Sequence, residues 1–557
     1  MMELKKRLTS NLDLTLLAAV VAGFSAVAAQ RLGSVPVPDT GDEAMILQVP
    51  YEILYRGKFA WPMYRYLGGN IENAWHSFRP IYYWLMTGFF KLFGWGLVQG
   101  RAFNLLAAAI ALVILYFIGR RLFGWPSGLV AVLMVAADPN FVERSRMVRN
   151  ECVAMLFVLL GYYLYEIAEA RKQARYYVGA GLAAGASVMC HTNALYILAA
   201  IFLLMVIRRG WRFYSSGAIY QFLGGAFAVM AYEIVYDLVG YATVRQQYHG
   251  DKAHFGLLEA DGVLSNLVNE QARYRVWYSG GELSINVPLI LLHLFQLLLV
   301  VALVYLAILG VRRWRPGDWI TDARVRVLIV TVLAMLFIAL VTGAKRKYVI
   351  YMPYLTPWFG LCVGILLRDG WSRIRQWQFA EAATTKTAQR LATIGLVLIV
   401  SAYGLLLVRQ EAKFVAGVRN PNLASFEEMS LALRDVVPEV VCPVSVMYPV
   451  MWLAFPEADR CYASMERRMA DLIDIDGKDY ALILPADQHP VWLKDADENY
   501  HLLGEIQNTP YGDFRIYYTG TEARYRELAP KRYRFFGKRR GYVNLTAPAE
   551  LRDQSLP

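Results

Sequence analysis

Long apolar segments, separated by polar connections, constrain this chain more than any other feature. Eleven can be counted, at roughly 14–29, 98–118, 128–138, 151–168, 177–190, 193–207, 217–239, 286–309, 327–343, 349–367 and 391–408. A run of about 20 apolar residues crosses a bilayer as a helix, which satisfies its own backbone hydrogen bonds. Because 57% of the residues are hydrophobic and only 18% are charged, we predict a mainly α, polytopic transmembrane helical bundle.

The first apolar segment has two interpretations. It follows Lys5-Lys6-Arg7 and ends in small residues at Ala26 to Ala29, as a cleaved signal peptide would. Many further apolar segments follow, and such a chain needs an anchor whose N-terminus lies inside. We therefore interpret it as an uncleaved first span.

Basic residues are concentrated in the connections on one side of the predicted bundle. Counted from an inside N-terminus, every inside connection carries Lys or Arg, as the positive-inside rule requires: Arg120-Arg121; Arg171, Lys172 and Arg175; Arg208, Arg209 and Arg212; Arg312, Arg313 and Arg315; Arg368, Arg373 and Arg375. Insertion thus accounts for the net charge of +12, and we predict no nucleic-acid partner. The protein is expected to be a multi-pass membrane protein of a bacterial inner or plasma membrane.

An odd number of spans divides the chain into two predicted domains on this topology. Residues 1–408 form the transmembrane domain, with external loops 34–97, 138–150 and 240–285. Residues 409–557 form a small extracytoplasmic α/β domain. Its patterns predict helices at 423–436 and 465–473 and strands at 443–447, 480–484 and 514–518.

Two cysteines lie in this C-terminal domain, and an extracytoplasmic pair can oxidise. We predict a disulfide between Cys442 and Cys461. The alternative of two free thiols stays open, because bridging requires Cα atoms within about 7 Å.

Carboxylates mark two places on the predicted external face. Asp42 and Glu43 are adjacent, just beyond the first span, and Glu151 begins a later span. Each could serve chemistry at the aqueous edge of the membrane. Each could also do no more than complement the positive end of a helix.

Basic residues on the same face break the positive-inside trend. The second external loop carries Arg144, Arg146 and Arg149, and the cluster Lys345-Arg346-Lys347 lies at the external end of another span. Such cations need an anionic partner. Two exceptions on one face indicate a bound phosphate, because guanidinium and ammonium groups bind phosphate by charge-assisted hydrogen bonds.

Aromatic and histidine residues complete the polar loops. Ile81-Tyr82-Tyr83-Trp84, together with Trp61 and Trp75, is typical of amphipathic segments in the membrane interface. The grouping of His249, Asp251 and His254 matches no standard zinc spacing. We therefore predict no metal site, and no cofactor.

The order of these motifs resembles the GT-C class of membrane glycosyltransferases that use polyprenyl-phosphate sugars, including protein O-mannosyltransferases and lipid A aminoarabinose transferases. The resemblance covers about the first two fifths of the chain and returns faintly near Pro353 to Pro357. The motifs that carry it are Asp42-Glu43-Ala44, Phe78 to Trp84, Leu92-Phe93-Gly94, Arg101, Gly119 to Gly124, Ser145 to Glu151, and Lys347-Tyr348.

The resemblance implies a GT-C-like bundle and specific roles. A first-loop acid acts as the catalytic base, which falls on Asp42 with Glu43 as the alternate, and Glu151 stands where a second acid is usual. The donor phosphate would be bound by residues of the external loops: Arg79, Arg149, His191, Asn193, Lys345, Arg346, Lys347 and Tyr348. In the family the turn at His191-Thr192-Asn193 often bears Lys, so phosphate contacts there stay open.

The chemistry fits these residue types. A sugar on a lipid phosphate needs cations to stabilise the departing phosphate and a carboxylate to remove a proton from the acceptor. Direct displacement inverts the anomeric centre and needs one base. No glycine-rich nucleotide motif precedes a helix, so the expected donor is a lipid. The expected partners are this donor, membrane lipids, and a lipid, glycan or protein acceptor.

Two other classes remain open. A lipid or lipid-linked-sugar transporter or flippase would also place arginines outside many spans, although charges in mid-span and related halves, which transporters often show, are not evident. A non-catalytic scaffold that presents the C-terminal domain would leave Asp42 and Glu43 without a task.

Overall fold

The computed structural model describes the helical region nearly continuously and the C-terminal region in part. The described residues are 2–33, 42–62, 71, 73–75, 80–249, 262–278, 289–312, 319–341, 349–377, 433–434, 436–437, 442–445, 480–485, 500–509, 512–519, 521–528 and 544–546. The predicted boundary between residues 408 and 409 lies outside them, as does the predicted span 391–408.

Fifteen helices are described before residue 378. They are α1 (Met2–Ala28), α2 (Asp42–Tyr51), α3 (Pro80–Phe93), α4 (Leu97–Phe123), α5 (Trp125–Ala136), α6 (Pro139–Ser145), α7 (Glu151–Arg171), α8 (Ala174–Cys190), α9 (Leu195–Arg209), α10 (Gly217–Val239), α11 (Tyr241–His249), α12 (Gly262–Tyr278), α13 (Leu289–Arg312), α14 (Ala323–Val341) and α15 (Thr356–Trp377). A π-helical turn, Glu52–Arg56, continues α2.

Several of these helices can cross a membrane. Among the described residues, five helical segments are long and apolar enough: Leu97–Phe123, Glu151–Arg171, Thr192–Ser215, Gly217–Val239 and Ala323–Val341. Shorter apolar helical segments lie at Leu12–Ala28, Trp125–Ala136 and Leu299–Val311. The protein is therefore an integral membrane protein built mainly from helices, while the number of eleven spans stays a prediction.

One predicted span begins later than its hydropathy suggests. The apolar run 349–367 opens as a 3₁₀ helix, Val349–Tyr354, and α15 starts only at Thr356. Pro353 and Pro357 explain the break, because proline lacks the N–H that a continuous α-helix needs and is accepted only in its first turn. The expected span 349–367 thus divides into a short 3₁₀ segment and a longer helix.

Glycines allow the closest helix contacts in the bundle. A Cβ added at Gly181 of α8 would lie 1.9 Å from the carbonyl oxygen of Phe222 on α10. One added at Gly225 of α10 would lie 2.3 Å from the carbonyl oxygen of Val178. Small residues let helix backbones approach in lipid, where dispersion contacts replace the hydrophobic effect as the source of association.

Ion pairs gather at the end of the bundle that the charge pattern assigns to the cytoplasm. Glu166 on α7 forms a two-armed pair with Arg326 on α14, both contacts being 2.8 Å. Glu169 binds Arg209 at 2.8 Å and Arg208 at 3.2 Å, at the end of α9. Glu151 begins α7, whereas Glu166 and Glu169 lie near its end. The basic connections and the predicted catalytic acids therefore lie at opposite ends of that helix.

The C-terminal region contains a five-stranded sheet. Its strands are β1 (Cys442–Ser445), β2 (Tyr480–Pro485), β3 (Tyr500–Thr509), β4 (Gly512–Thr519) and β5 (Asn544–Thr546), in the order β1-β2-β4-β3-β5. Among these described strands, β1 and β2 form the one parallel pair, and the other pairs are antiparallel. A short helix, α16 (Glu522–Leu528), follows β4.

The sheet agrees closely with the three strands predicted from sequence. β3 and β5 are the strands that the pattern missed. β3 pairs with β4 through an irregular register between Leu502 and Gly504. The predicted helices 423–436 and 465–473 lie largely or wholly outside the described residues, as do Cys461 and the side chain of Cys442. The disulfide therefore stays a prediction.

Candidate active site

Glu43 is the centre of a closed ion pair. Its two carboxylate oxygens accept from Arg101 of α4, from Nε at 2.9 Å and from Nη2 at 2.6 Å. One oxygen also accepts from the backbone N–H of Val148 at 2.8 Å. Arg101 in turn donates to the carbonyl of Leu32 at 2.8 Å. Because both side chains are fully buried, Glu43 ties α2 to α4 and to the second external loop.

Asp42 differs sharply from its neighbour in exposure. It begins α2, and its side chain keeps 47% of its surface accessible. Oδ2 accepts a hydrogen bond from Nη1 of Arg149. Successive residues of a helix are rotated by about 100°, so Asp42 and Glu43 face different surroundings. Asp42 alone of the two is open to a molecule arriving from outside.

Arg149 joins two carboxylates. Besides Asp42, it binds Glu151 through Nε, at 3.2 Å to Oε1 and 3.3 Å to Oε2. Glu151 is almost fully buried in the first turn of α7, and the side chain of Arg149 is 10% exposed. The Arg149 guanidinium, which is held by the buried Glu151, therefore fixes the direction of the Asp42 carboxylate.

The turn after α8 lies at the same end of the bundle. Asn150 donates from Nδ2 to the carbonyl of Cys190 at 3.1 Å, which holds that turn beside the start of α7. His191 is buried, and its Nδ1 accepts from the backbone N–H of Asn193 at 3.1 Å. The His191 ring lies 6.0 Å from that of Tyr351 and 5.7 Å from that of Tyr354.

Tyr82 brings α3 to this region. Its hydroxyl accepts from Nδ2 of Asn104 at 3.2 Å. Burial raises the pKa of the Tyr82 phenol well above its ordinary value, and the charge of Glu151 acts in the same direction. The phenol is thus a neutral group close to the buried acid of the site.

The predicted interfacial aromatics form a packed cluster in the first loop. The backbone N–H of Trp61 donates to the carbonyl of Ile71, and that of Trp75 donates to the carbonyl of Phe59, both at 2.9 Å. The rings of Trp61 and Trp75 lie 4.3 Å apart, and Trp75 lies 5.3 Å from Tyr83. The opposite face of α3 exposes apolar side chains, as an interfacial helix does: Trp84, Leu85, Leu92 and Phe93.

The charge pattern did not identify Arg273. This residue is fully buried on α12, inside the loop 240–285, and binds Glu270 at 2.7 Å through Nε. Its guanidinium carbon lies 5.6 Å from the ring centroid of Tyr351, which in turn approaches His191. The sequence signal was available in the i, i+3 spacing of Glu270 and Arg273, but it is weak in a loop of low hydropathy.

Several predicted residues lie outside the described part of the chain. These are Arg79, Lys345, Arg346, Lys347 and Tyr348, together with Asp251, His254 and the side chain of His249. Among the described candidates, the structure brings Asp42, Arg149 and Glu151 into direct contact. His191 and Asn193 lie at the same end of the bundle.

Comparison with known proteins agrees with this architecture. Residues 76–236 match the family described as dolichyl-phosphate-mannose-protein mannosyltransferase. No curated protein sequence matched the chain.

Solved structures share the fold along most of the chain. ArnT from Cupriavidus metallidurans, in the apo state, is 12% identical with a TM-score of 0.58, covering 91% of this chain and 98% of its own. The same enzyme bound to undecaprenyl phosphate is 11% identical with a TM-score of 0.58, covering 90% and 97%. The archaeal oligosaccharyltransferase AglB from Archaeoglobus fulgidus, in complex with an inhibitory peptide and a dolichol-phosphate, is 12% identical with a TM-score of 0.53, covering 92% and 75%. The resemblance to GT-C membrane glycosyltransferases is confirmed.

Proposed function

We propose that this protein transfers a sugar from a polyprenyl-phosphate donor to an acceptor on the extracytoplasmic face of the membrane. The observation that carries the proposal is the contrast between two adjacent acids, one closed in an ion pair and one half-exposed and oriented by Arg149. An oriented, accessible carboxylate beside a membrane bundle is what proton removal from an incoming acceptor requires.

Asp42 is the proposed base. Glu43, the alternate named from sequence, has its oxygens occupied by Arg101 and the Val148 N–H. Glu151 is nearly inaccessible. Its contact with Arg149 favours a supporting role, in which it balances the guanidinium that orients Asp42.

Arg149 was predicted from the charge pattern to bind the lipid phosphate. Its contacts favour a role in positioning Asp42 over a role in binding phosphate, because the guanidinium already bridges Asp42 and Glu151. A base held within a narrow range of directions saves orientational entropy in the reaction. We therefore assign Arg149 to the orientation of Asp42.

The proposed reaction is a single displacement. The acceptor's nucleophilic atom attacks the anomeric carbon while the bond from that carbon to the phosphate oxygen breaks. The acceptor's proton passes to the Asp42 carboxylate, the bonding electrons leave with the phosphate, and the anomeric configuration inverts. The products are a glycosylated acceptor and a polyprenyl phosphate.

The leaving phosphate needs cations. Arg79, Lys345, Arg346 and Lys347 are proposed for this task, with Tyr348, His191 and Asn193 as further polar contacts. Arg273 lies near Tyr351 at the same end of the bundle, but it is not assigned to this task because its guanidinium is paired with Glu270. The lipid phosphates in the ArnT and AglB complexes support a donor of this kind. The acceptor is proposed to be a lipid, glycan or protein.

The experiment follows the lipid. Purified protein in nanodiscs is given a polyprenyl-phosphate sugar labelled in the sugar, and free polyprenyl phosphate and transferred label are measured with and without a membrane extract as acceptor source. Acceptor-dependent release of polyprenyl phosphate is expected. A transporter or flippase would leave the donor intact and a scaffold would not consume it, so intact donor under every condition contradicts the proposal.

A further inference from the structure

Arg144 is a buried cation of unusual surroundings. It lies near the end of α6 and is 7% exposed. Within the described part of the chain, its Nη1 donates to Sδ of Met147 at 3.2 Å, and its Nε has no hydrogen-bond partner. A thioether is a weak acceptor. The described residues thus give this guanidinium no carboxylate.

Two other buried arginines of the bundle are paired with carboxylates. Arg101 is paired with Glu43, and Arg326 with Glu166, each through two contacts. A guanidinium stays protonated at any ordinary pH, and a buried charge without a counter-charge is strongly destabilising. Arg144 therefore has the character of a side chain whose anion is supplied by a ligand.

Its position relates Arg144 to the candidate active site. Met147, which it contacts, directly precedes Val148, whose N–H binds Glu43. In addition, α6 packs against the segment Val349–Tyr354, which contains Tyr351. The guanidinium thus lies within the loop that holds Arg149, at the same end of the bundle.

We propose that Arg144 binds the phosphate group of the lipid-linked donor and of the polyprenyl phosphate product. A guanidinium matches phosphate geometry with paired N–H donors. The inference rests on the proposed function, since it assigns a phosphate ligand to the same reaction. It separates two arginines five residues apart: Arg149 positions the base, and Arg144 holds the leaving group.

The test measures binding rather than turnover. Wild-type protein and the variant Arg144→Met, purified in nanodiscs, are titrated with undecaprenyl phosphate and with undecaprenol, which lacks the phosphate. Losing a charge-assisted contact should lower the preference for the phosphate over the alcohol about tenfold or more. Affinity for the alcohol should stay within about twofold, because the lipid chain contacts remain.

The melting temperature distinguishes a ligand-binding arginine from a structural one, because replacing a structural arginine would lower it. Without ligand, Arg144→Met should melt at the same temperature as wild type or higher, because an unbalanced buried charge is removed. The matched control is Arg175→Met, which removes the same charge from an exposed residue. Arg175 lies at the start of α8, and the candidate site lies beside the end of that helix. This variant should change neither the preference nor the melting temperature.

Three results of the binding and melting experiments would overturn the assignment. They are an unchanged phosphate preference in Arg144→Met, unfolding of that variant in the absence of ligand, and stabilisation of wild type by millimolar inorganic phosphate as large as that by the lipid. Hydrogen exchange on wild type supplies a test without mutation: undecaprenyl phosphate, but not undecaprenol, should protect the α6 backbone, and equal protection contradicts the idea. If wild type itself does not prefer the phosphate, the proposed donor class fails instead.

Discussion

The ion pair between Glu43 and Arg101 should be a main support of the end of the bundle that holds the candidate active site. Replacing Glu43 by Gln leaves the Arg101 guanidinium buried without its counter-charge, since both side chains are fully inaccessible. Removing one partner of a buried pair costs about 3–5 kcal/mol in the free energy of unfolding. That range includes the cost of weakening the hydrogen bond from the Val148 N–H, because the Gln side chain replaces the carboxylate acceptor only in part.

A double-mutant cycle tests the magnitude. Glu43→Gln, Arg101→Met and the double variant are unfolded reversibly in mixed detergent and SDS micelles. Each single variant should lose about 3–5 kcal/mol, and the double variant should lose less than the sum, because neither charge is then stranded. The fraction of Glu43→Gln that stays folded should keep sugar transfer within a few-fold of wild type. Single losses below about 1 kcal/mol, or additive losses, would refute this account of the pair.

Three further predictions follow from other parts of the molecule. Arg149→Ala should lower kcat of sugar transfer by about two orders of magnitude or more with little change in donor KM, because the base loses its orientation while the phosphate contacts remain; a loss confined to KM, or one that added salt reproduces in wild type, would instead indicate a charge at the membrane surface. Gly225→Leu should prevent stable packing of α10 on α8, because a Cβ there meets the Val178 carbonyl at 2.3 Å, and size-exclusion chromatography of the detergent extract should show aggregation; Gly224→Leu, where a Cβ meets nothing within 4 Å, is the control and should elute as wild type. Mass spectrometry of unreduced peptides from an oxidising compartment should find Cys442 joined to Cys461, and two free thiols there would end that prediction.

The helices and the external acids were accessible from sequence for different reasons. Hydropathy predicts membrane helices well because lipid forces backbone hydrogen bonds to close within a segment, and the ordered strands β1, β2 and β4 also followed from their patterns. The break at Pro353 shows where hydropathy fails, since it counts apolar residues but not missing N–H donors.

The different roles of Asp42 and Glu43 were beyond a sequence pattern. Both are acids in the first turn of α2, and what separates them is Arg101, 58 residues away, which fills the Glu43 oxygens. The three arginines of the second loop could likewise be identified as exceptions to the charge trend. Their individual partners depend on tertiary packing, which gives Arg149 two carboxylates and Arg144 a thioether.

Asp42 is proposed as the base, and its removal should abolish the chemical step without unfolding the protein. Single-turnover sugar transfer from a saturating polyprenyl-phosphate sugar is compared for wild type, Asp42→Asn and the control Asp513→Asn, an exposed acid of the C-terminal sheet. Asp42→Asn should lower the transfer rate by about 10²-fold or more while its melting temperature stays within a degree or two of wild type, and Asp513→Asn should match wild type in both. Transfer by Asp42→Asn at most of the wild-type rate would contradict the account and move the base to Glu43 or Glu151.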